Sequence, residues 1–437
     1  MSTTTPTRGR GPGTTDERPP AVTPGDRSEA VSPEGRPKRA RARELEGYRG
    51  LVGLTIVLFH VFQYAQASGT HISPVASFLA KFETVDLLFA MSAYLLTLSY
   101  ARAALNRTSP LSAKEFLFRR AVRILPLYWV GVTVVWALRN PALPGDTRDL
   151  VEHLLFLQVF DQQRIFFTIG PLWSMSLEVL FYVVLVLLAP LAVRLCRGIE
   201  SRRRRVALLL GGTLVLWALP AVWNSTAFLV ARVPFDRWPV YFGPQARFGA
   251  FAAGMALAVV VAARDGRPLL TGAWPALARL AGLGVIVAGG LASRPGGLGQ
   301  VLFHDVAAVG WFLLLASTVL GVPGQAWSRM LSWRGLTWLG LISYSTYMWH
   351  EPVMLLLKHL GVIGRSGASL PFAMVAVLVS SVAVGWVSFQ VIERPTSKLR
   401  MLRDRGARRE YYPELVQAGG GGRESNPPDR DARSLRF

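Results

Sequence analysis

The sequence predicts an all-α, polytopic integral membrane protein, and three observations carry that expectation. Of its 437 residues 51% are hydrophobic, these residues gather in runs long enough to cross a bilayer, and the charges sit in short patches between the runs. A soluble domain spreads charge over every surface element, whereas a chain that threads a bilayer collects it at the interfaces.

Ten segments are apolar over the ~20 residues that a helix needs to cross ~30 Å of hydrocarbon. They are 47–66, 84–102, 117–138, 171–195, 206–223, 244–263, 274–293, 302–321, 336–357 and 372–392. Segment 151–160 (VEHLLFLQVF) is apolar but too short to span, so it is expected to be interfacial or re-entrant. Residues 1–43 are rich in Pro, Gly, Thr, Ser and Arg and offer too little apolar surface to offset ordering entropy. They also lack the apolar run of a signal peptide. Residues 399–437 are similarly charged, with four glycines at 419–422. Two disordered basic cytoplasmic tails are therefore expected to flank a transmembrane domain over 44–398.

Orientation follows from Lys and Arg. With the chain starting inside, the N-terminal tail, 101–120, 194–205, 264–267, 325–334 and the C-terminal tail share one face, and they hold most of the basic residues. Both termini are expected in the cytoplasm. The net charge of +21 would suit a nucleic acid only if it formed one continuous face. It recurs between apolar runs instead, so no nucleic-acid partner is expected, and the lipid bilayer is the surrounding. Cys196 is the single cysteine, which excludes an intrachain disulfide and a cysteine-ligated zinc or iron–sulfur site. The six histidines are scattered with no HExxH pair, so no metal site is expected.

An ionisable side chain inside a span costs a few kcal/mol or more and needs a partner, a water-filled cavity or a function. The first span, ELEGYRGLVGLTIVLFHVFQ, puts Arg49 at its cytoplasmic end and His60 eleven residues on, roughly 16 Å deeper and on nearly the same face. The fourth buries Glu178, with Tyr182 one turn further in. The ninth carries Ser343, Tyr344, Tyr347 and His350. Helix arithmetic puts His60, Glu178 and His350 at similar heights in the outer half of the membrane, with Asp86 near the outer end of the second span. Arg119, Arg120 and Arg123 open the third span, FRRAVRILPLYWV, from the cytoplasm. Arg119 reads as an ordinary anchor; Arg123 and Arg49 lie deeper and suit either snorkelling or an anionic ligand. Guanidinium groups at one end and titratable groups at the other fit a long ligand with a phosphorylated head in the cytosol and a reactive end inside the bilayer, which is the shape of acyl-CoA.

At these residues the chain resembles the acyltransferase-3 family of membrane acyltransferases over about residues 44 to 398. The points of contact are the Arg-x10-His spacing of Arg49 and His60, VDLLFAMSAYLL (Val85 to Leu96), the Arg-x2-Arg of Arg120 and Arg123, WSMSLEVLFY (Trp173 to Tyr182) and LISYSTYMWHEPV (Leu341 to Val353). The resemblance implies a multi-pass protein of the bacterial plasma membrane. It implies O-acyl transfer from cytosolic acyl-CoA, usually acetyl-CoA, to a hydroxyl of a sugar, envelope glycan or small-molecule acceptor. The acyl-CoA is a co-substrate, and no permanently bound cofactor is expected. By the same analogy His60 is the catalytic histidine, Arg49, Arg120 and Arg123 lie near the CoA moiety, and Glu178, Tyr182 and His350 line the pore. Glu46 stands where the family commonly has Asp, Ala93 where it has Gly, and Val179 replaces a second acidic residue, leaving Glu178 the sole acid of its motif. The esterase-like domain that some members of the family carry is not expected here.

The expected chemistry is direct transfer. Neutral His60 takes the acceptor proton, a carboxylate (Glu178 first, Asp86 second) stabilises the imidazolium, and Tyr344, Tyr347 or Ser92 donates to the oxyanion. A covalent acyl-His60 intermediate is the variant of this mechanism. A proton-coupled transporter or flippase, using the same buried His and Glu as a proton relay, is the rival reading, and a non-catalytic scaffold of the same architecture is a third.

Overall fold

The computed structural model describes residues 1–2, 35–67, 84–142, 144–265, 267–363 and 370–398, and within them every regular element is helical. Most of both expected tails, 3–34 and 399–437, lies outside the described residues. The first helix, α1 (Gly35–Ala67), starts nine residues before the expected domain boundary. Residues 35–43 are therefore helical rather than disordered, and the run RPKRARARE is rich in good helix formers.

The chain continues as α2 (Val85–Asn106), α3 (Ala113–Arg139), the short α4 (Thr147–Leu154), α5 (Trp173–Arg197), α6 (Arg202–Asn224), α7 (Pro244–Ala263), α8 (Trp274–Ala292), α9 (Phe303–Val319), α10 (Arg334–Leu341), α11 (Ser343–His359) and α12 (Leu370–Ser388). Among the described residues eight helices are long and apolar enough to cross a membrane, and they coincide with eight of the ten expected spans. The eighth expected span appears as α9, an apolar helix of 17 residues. The ninth is not continuous: it breaks at Ile342 into α10 and α11. The Ser343 hydroxyl donates to Gly340 O at 2.8 Å, and that local bond competes with the helical ladder at the break.

Exposure is inverted relative to a soluble bundle. Leu187, Leu191 and Leu195 of α5 and Leu214, Val215 and Leu219 of α6 are all exposed, as expected where hydrocarbon is the solvent. The apolar stretch of α7 is 78% buried and that of α6 only 11%, so α7 is central and α6 peripheral. Small residues bring the central helices together. A Cβ on Gly254 of α7 would lie 2.1 Å from Ala90 O and 2.9 Å from Ala93 Cβ of α2, so this glycine gives the space that Ala93 needs. A Cβ on Gly50 would lie 2.1 Å from Leu336 O, and one on Gly340 1.9 Å from Glu46 O, so α1 and α10 meet backbone to backbone.

The connection between α3 and α5, which holds the segment 151–160 expected to be interfacial or re-entrant, folds back along the bundle. Tyr128 donates to His153 O at 2.8 Å, and Gln158 Nε2 donates to both Tyr128 Oη and Leu172 O at 3.3 Å. Asp146 caps α4 by accepting from the Asp149 N–H at 3.1 Å. That bond first, and the Arg164 guanidinium after it, hold the Asp146 carboxyl below the ordinary carboxylate range.

Candidate active site

One face of α1 presents Arg49, Gly53, Ile56 and His60 at helical spacing, and two adjoining cavities follow it. The first, of about 110 Å³, is lined by Arg49, Ser92, Arg120, Arg123, Glu178, Tyr182, Ser343, Tyr344 and Tyr347. It gathers eight of the eleven side chains singled out in the sequence. The break at Ile342 turns Ser343 and Tyr344 into it, and Arg123 is exposed, so the chamber opens at its basic end. Arg49 Nη1 pairs with Glu46 Oε1 at 2.7 Å. Arg119 pairs instead with Glu115 at 2.6 Å, within its own helix, as an anchor would.

Glu178 Oε1 accepts from Ser92 Oγ at 2.8 Å and from Tyr182 OH at 2.5 Å. The carboxylate thus shares its chamber with three guanidinium groups rather than standing level with His60. Helix arithmetic misplaced it because it set the start of α5 at the outer surface. The returning loop brings that start inward: Gln158 ties Leu172 to Tyr128, which lies eleven residues, about 16 Å, inside the far end of α3. The hydroxyls expected to donate to an oxyanion are each engaged. Ser92 donates to Glu178, Tyr344 to Ile124 O at 2.9 Å, and Tyr347 to Pro171 O at 2.5 Å.

The second cavity, of about 360 Å³, carries His60, Gln63, Thr84, Glu351 and Tyr347 between the rings of Phe59, Phe166, Trp173, Trp238 and Phe242. Ile56, Val85 and Tyr347 belong to the walls of both cavities, so the chambers meet there. His350 is buried behind His60, with ring centroids 4.8 Å apart. Its Nδ1 donates to Tyr347 O at 2.5 Å, which leaves Nε2 as an acceptor facing His60 Nδ1 at 3.2 Å. His60 Nδ1 also faces Ile56 O at 2.9 Å. With two acceptors before it, Nδ1 carries the proton, and Nε2 holds the lone pair; this tautomer is assigned from the bonding partners. The imidazole that sequence reasoning paired with Glu178 or Asp86 is therefore backed by a second imidazole.

Asp86 belongs to a different cluster. Val85 faces the chambers, but the next side chain on a helix points about 100° away, and Asp86 Oδ2 accepts from His304 Nδ1 of α9 at 2.7 Å. Arg247 Nη1 bonds the same imidazole ring. Its guanidinium carbon lies 5.3, 4.7 and 4.9 Å from the ring centroids of Trp173, Tyr241 and Phe242, and Tyr241 OH lies 3.1 Å from His304 Nε2. This buried network braces Trp173 and Phe242 from behind the second cavity.

Of the second cavity's wall, sequence reasoning missed Glu351 and the rings of Phe166 and Phe242. Glu351 Oε2 accepts from the Gly170 N–H at 2.6 Å, and a Cβ on Gly170 would lie 2.9 Å from Oε1, so glycine admits the carboxylate. An acid beside His350 inside an apolar run was the available signal. For Phe242 it was its place one turn after Trp238.

The model of the acyltransferase domain family matches residues 43–389. The chain is similar to the peptidoglycan O-acetyltransferase OatA of Listeria monocytogenes serovar 1/2a, 24% identical over 381 residues, covering 81% of this chain and 55% of that protein. It is 26% identical over 373 residues to the putative peptidoglycan O-acetyltransferase YrhL of Bacillus subtilis, covering 80% of this chain and 54% of that one. To the exopolysaccharide production protein ExoZ of Rhizobium meliloti it is 28% identical over 354 residues, 78% of this chain and 94% of ExoZ. The chain thus spans about half the length of the first two relatives. No solved structure matches it.

Proposed function

The chain belongs to the acyltransferase domain family, and from that membership we propose that it is an O-acyltransferase of a bacterial plasma membrane, moving an acyl group from acyl-CoA to a hydroxyl of a glycan acceptor. The observation that carries this reading is the junction of the two cavities at Ile56, Val85 and Tyr347, with guanidinium groups on one side and His60 on the other. In this reading the bundle crosses the membrane ten times, and both termini lie on the arginine-bearing, cytoplasmic face.

Arg49, Arg120 and Arg123 hold the phosphates of CoA, since planar guanidinium forks match phosphate oxygens. The acyl thioester, acetyl in the simplest case, extends towards Tyr347 and His60. The acceptor enters the second cavity, where aromatic faces and a few convergent polar groups suit a sugar ring. Names of relatives support this assignment, because peptidoglycan and exopolysaccharide are both carbohydrate polymers.

His60 Nε2 takes the proton of the acceptor hydroxyl as its oxygen attacks the thioester carbonyl. The new C–O bond forms, the carbonyl becomes an oxyanion, and Tyr347 rotates from Pro171 O to donate to it. The C–S bond then breaks, and the thiolate takes the proton from the His60 imidazolium to leave as CoA. His350 Nε2 and Ile56 O hold the Nδ1–H and keep the ring in register throughout.

Purified protein given [14C]acetyl-CoA and a cell-envelope glycan fraction should place label on the glycan. His60→Ala should lose about 100- to 10,000-fold of that rate, with an unchanged melting profile. Label retained by the variant removes His60 from this role. A proton-coupled transporter or flippase would put no label on glycan with either protein.

A further inference from the structure

We propose that the groove between α5 and α6 is a binding site for an anionic phospholipid, which seats one acyl chain in the groove and its phosphate on the arginines at the groove's end. Helices α5 and α6 are consecutive, yet a cavity of about 340 Å³ separates them over Leu185–Leu195 and Leu208–Leu216, with α2 and α7 as its floor. At 1.5 Å per residue the α5 wall is about 15 Å long, which is the depth of one leaflet's share of a ~30 Å hydrocarbon core.

The lining is apolar apart from a few hydroxyls, of which two, Thr97 Oγ1 and Tyr100 OH, are buried with no hydrogen-bond partner among the described residues. A buried hydroxyl without a partner is costly, and the ester carbonyls of a glycerolipid would supply the acceptors. At the connection between the two helices, the arginines divide into two sets. Arg107 and Arg205 donate to Ile199 O at 2.6 Å each, and Arg202 pairs with Asp265 at 2.7 Å. Arg194, Arg197, Arg203 and Arg204 are exposed and have no ion-pair partner among the described residues. Arg194 adjoins the groove residue Leu195, and Arg204 lies one helical turn before Leu208. Anchoring by the positive-inside rule explains four arginines at these two helix ends. It does not explain why an open apolar groove begins within one helical turn of Arg194 and Arg204, which is the setting in which basic pockets between helices hold acidic headgroups.

Gly212 gives the means of testing it, because a Cβ there meets nothing within 4 Å. The full chain would be reconstituted in nanodiscs holding equal phosphatidylglycerol and phosphatidylcholine of matched chains, extracted, washed in detergent and read by native mass spectrometry. Wild-type protein should retain phosphatidylglycerol at least fivefold over phosphatidylcholine. Arg194→Ala/Arg203→Ala/Arg204→Ala should bring the ratio towards one, and Gly212→Phe should lower retention of both lipids at least threefold. Gly212→Leu serves as the smaller plug if the phenylalanine variant melts early. Equal retention of the two lipids by wild-type protein would show ordinary boundary lipid and overturn the proposal. So would phosphatidylglycerol retention that both Gly212 variants leave unchanged.

Discussion

His60 and His304 are both carried into the bundle by apolar helices, but they meet different partners there. His304 is 6% exposed and lies between the Asp86 carboxylate, the Arg247 guanidinium and the Tyr241 hydroxyl. His60 is half-buried on a 360 Å³ cavity, and the partner behind its ring is another imidazole. A histidine bonded by both a carboxylate and a guanidinium organises its neighbours. One backed by a neutral acceptor keeps a lone pair towards the cavity and can exchange a proton there. The same residue type thus does structural work in one cluster and, in our reading, chemical work in the other.

Asp86→Ala should have the largest effect on stability. Removing one partner of a buried charge network leaves an uncompensated group and costs about 3–5 kcal/mol, read as a lower melting temperature and poorer yield in detergent. The KM for acyl-CoA in the surviving protein should stay near wild type. A stable Asp86→Ala protein that has lost transfer would place Asp86 in the chemistry and break the comparison. His350→Phe keeps a ring against His60 but removes the Nε2 acceptor. It should lower kcat about 10- to 100-fold, the equivalent of one charge-assisted hydrogen bond of about 1.5–3 kcal/mol, without shifting the melting temperature. No change in kcat would mean that Ile56 O alone sets the His60 tautomer. Arg123→Ala should raise the KM for acyl-CoA about tenfold with kcat near wild type, and an unchanged KM removes Arg123 from donor binding.

The membrane architecture was legible because hydrocarbon admits only helices or closed barrels as spanning backbones, and ~20-residue apolar runs announce the helix. The arginine chamber was legible for a related reason: Arg49, Arg120, Arg123, Glu178 and Tyr182 are polar residues where lipid forbids them, and the chamber is where they meet. The sequence could not show which of them meet. Asp86 pairs with a residue 218 positions away, and its direction depends on the 100° step from Val85 rather than on its height. Glu178 was misplaced because the loop before α5 returns into the bundle; the short apolar run 151–160 admitted such a return, but nothing in it said how far inward it carries the start of α5. The second cavity was hidden for the opposite reason. Its walls, Trp173, Trp238 and Phe242, look like ordinary interfacial aromatics until Gly170 and Glu351 bring the loop and α11 together beneath them.

The central claim is that a thioester arriving from the arginine chamber reaches His60 through the junction at Ile56, Val85 and Tyr347. Ile56→Trp should plug that junction. The decisive measurement is the rate of labelled acetyl transfer alongside the Kd for acetyl-CoA in this one variant. Transfer should fall more than 100-fold while Kd stays within threefold of wild type; transfer at the wild-type rate would show that donor and acceptor meet by another route.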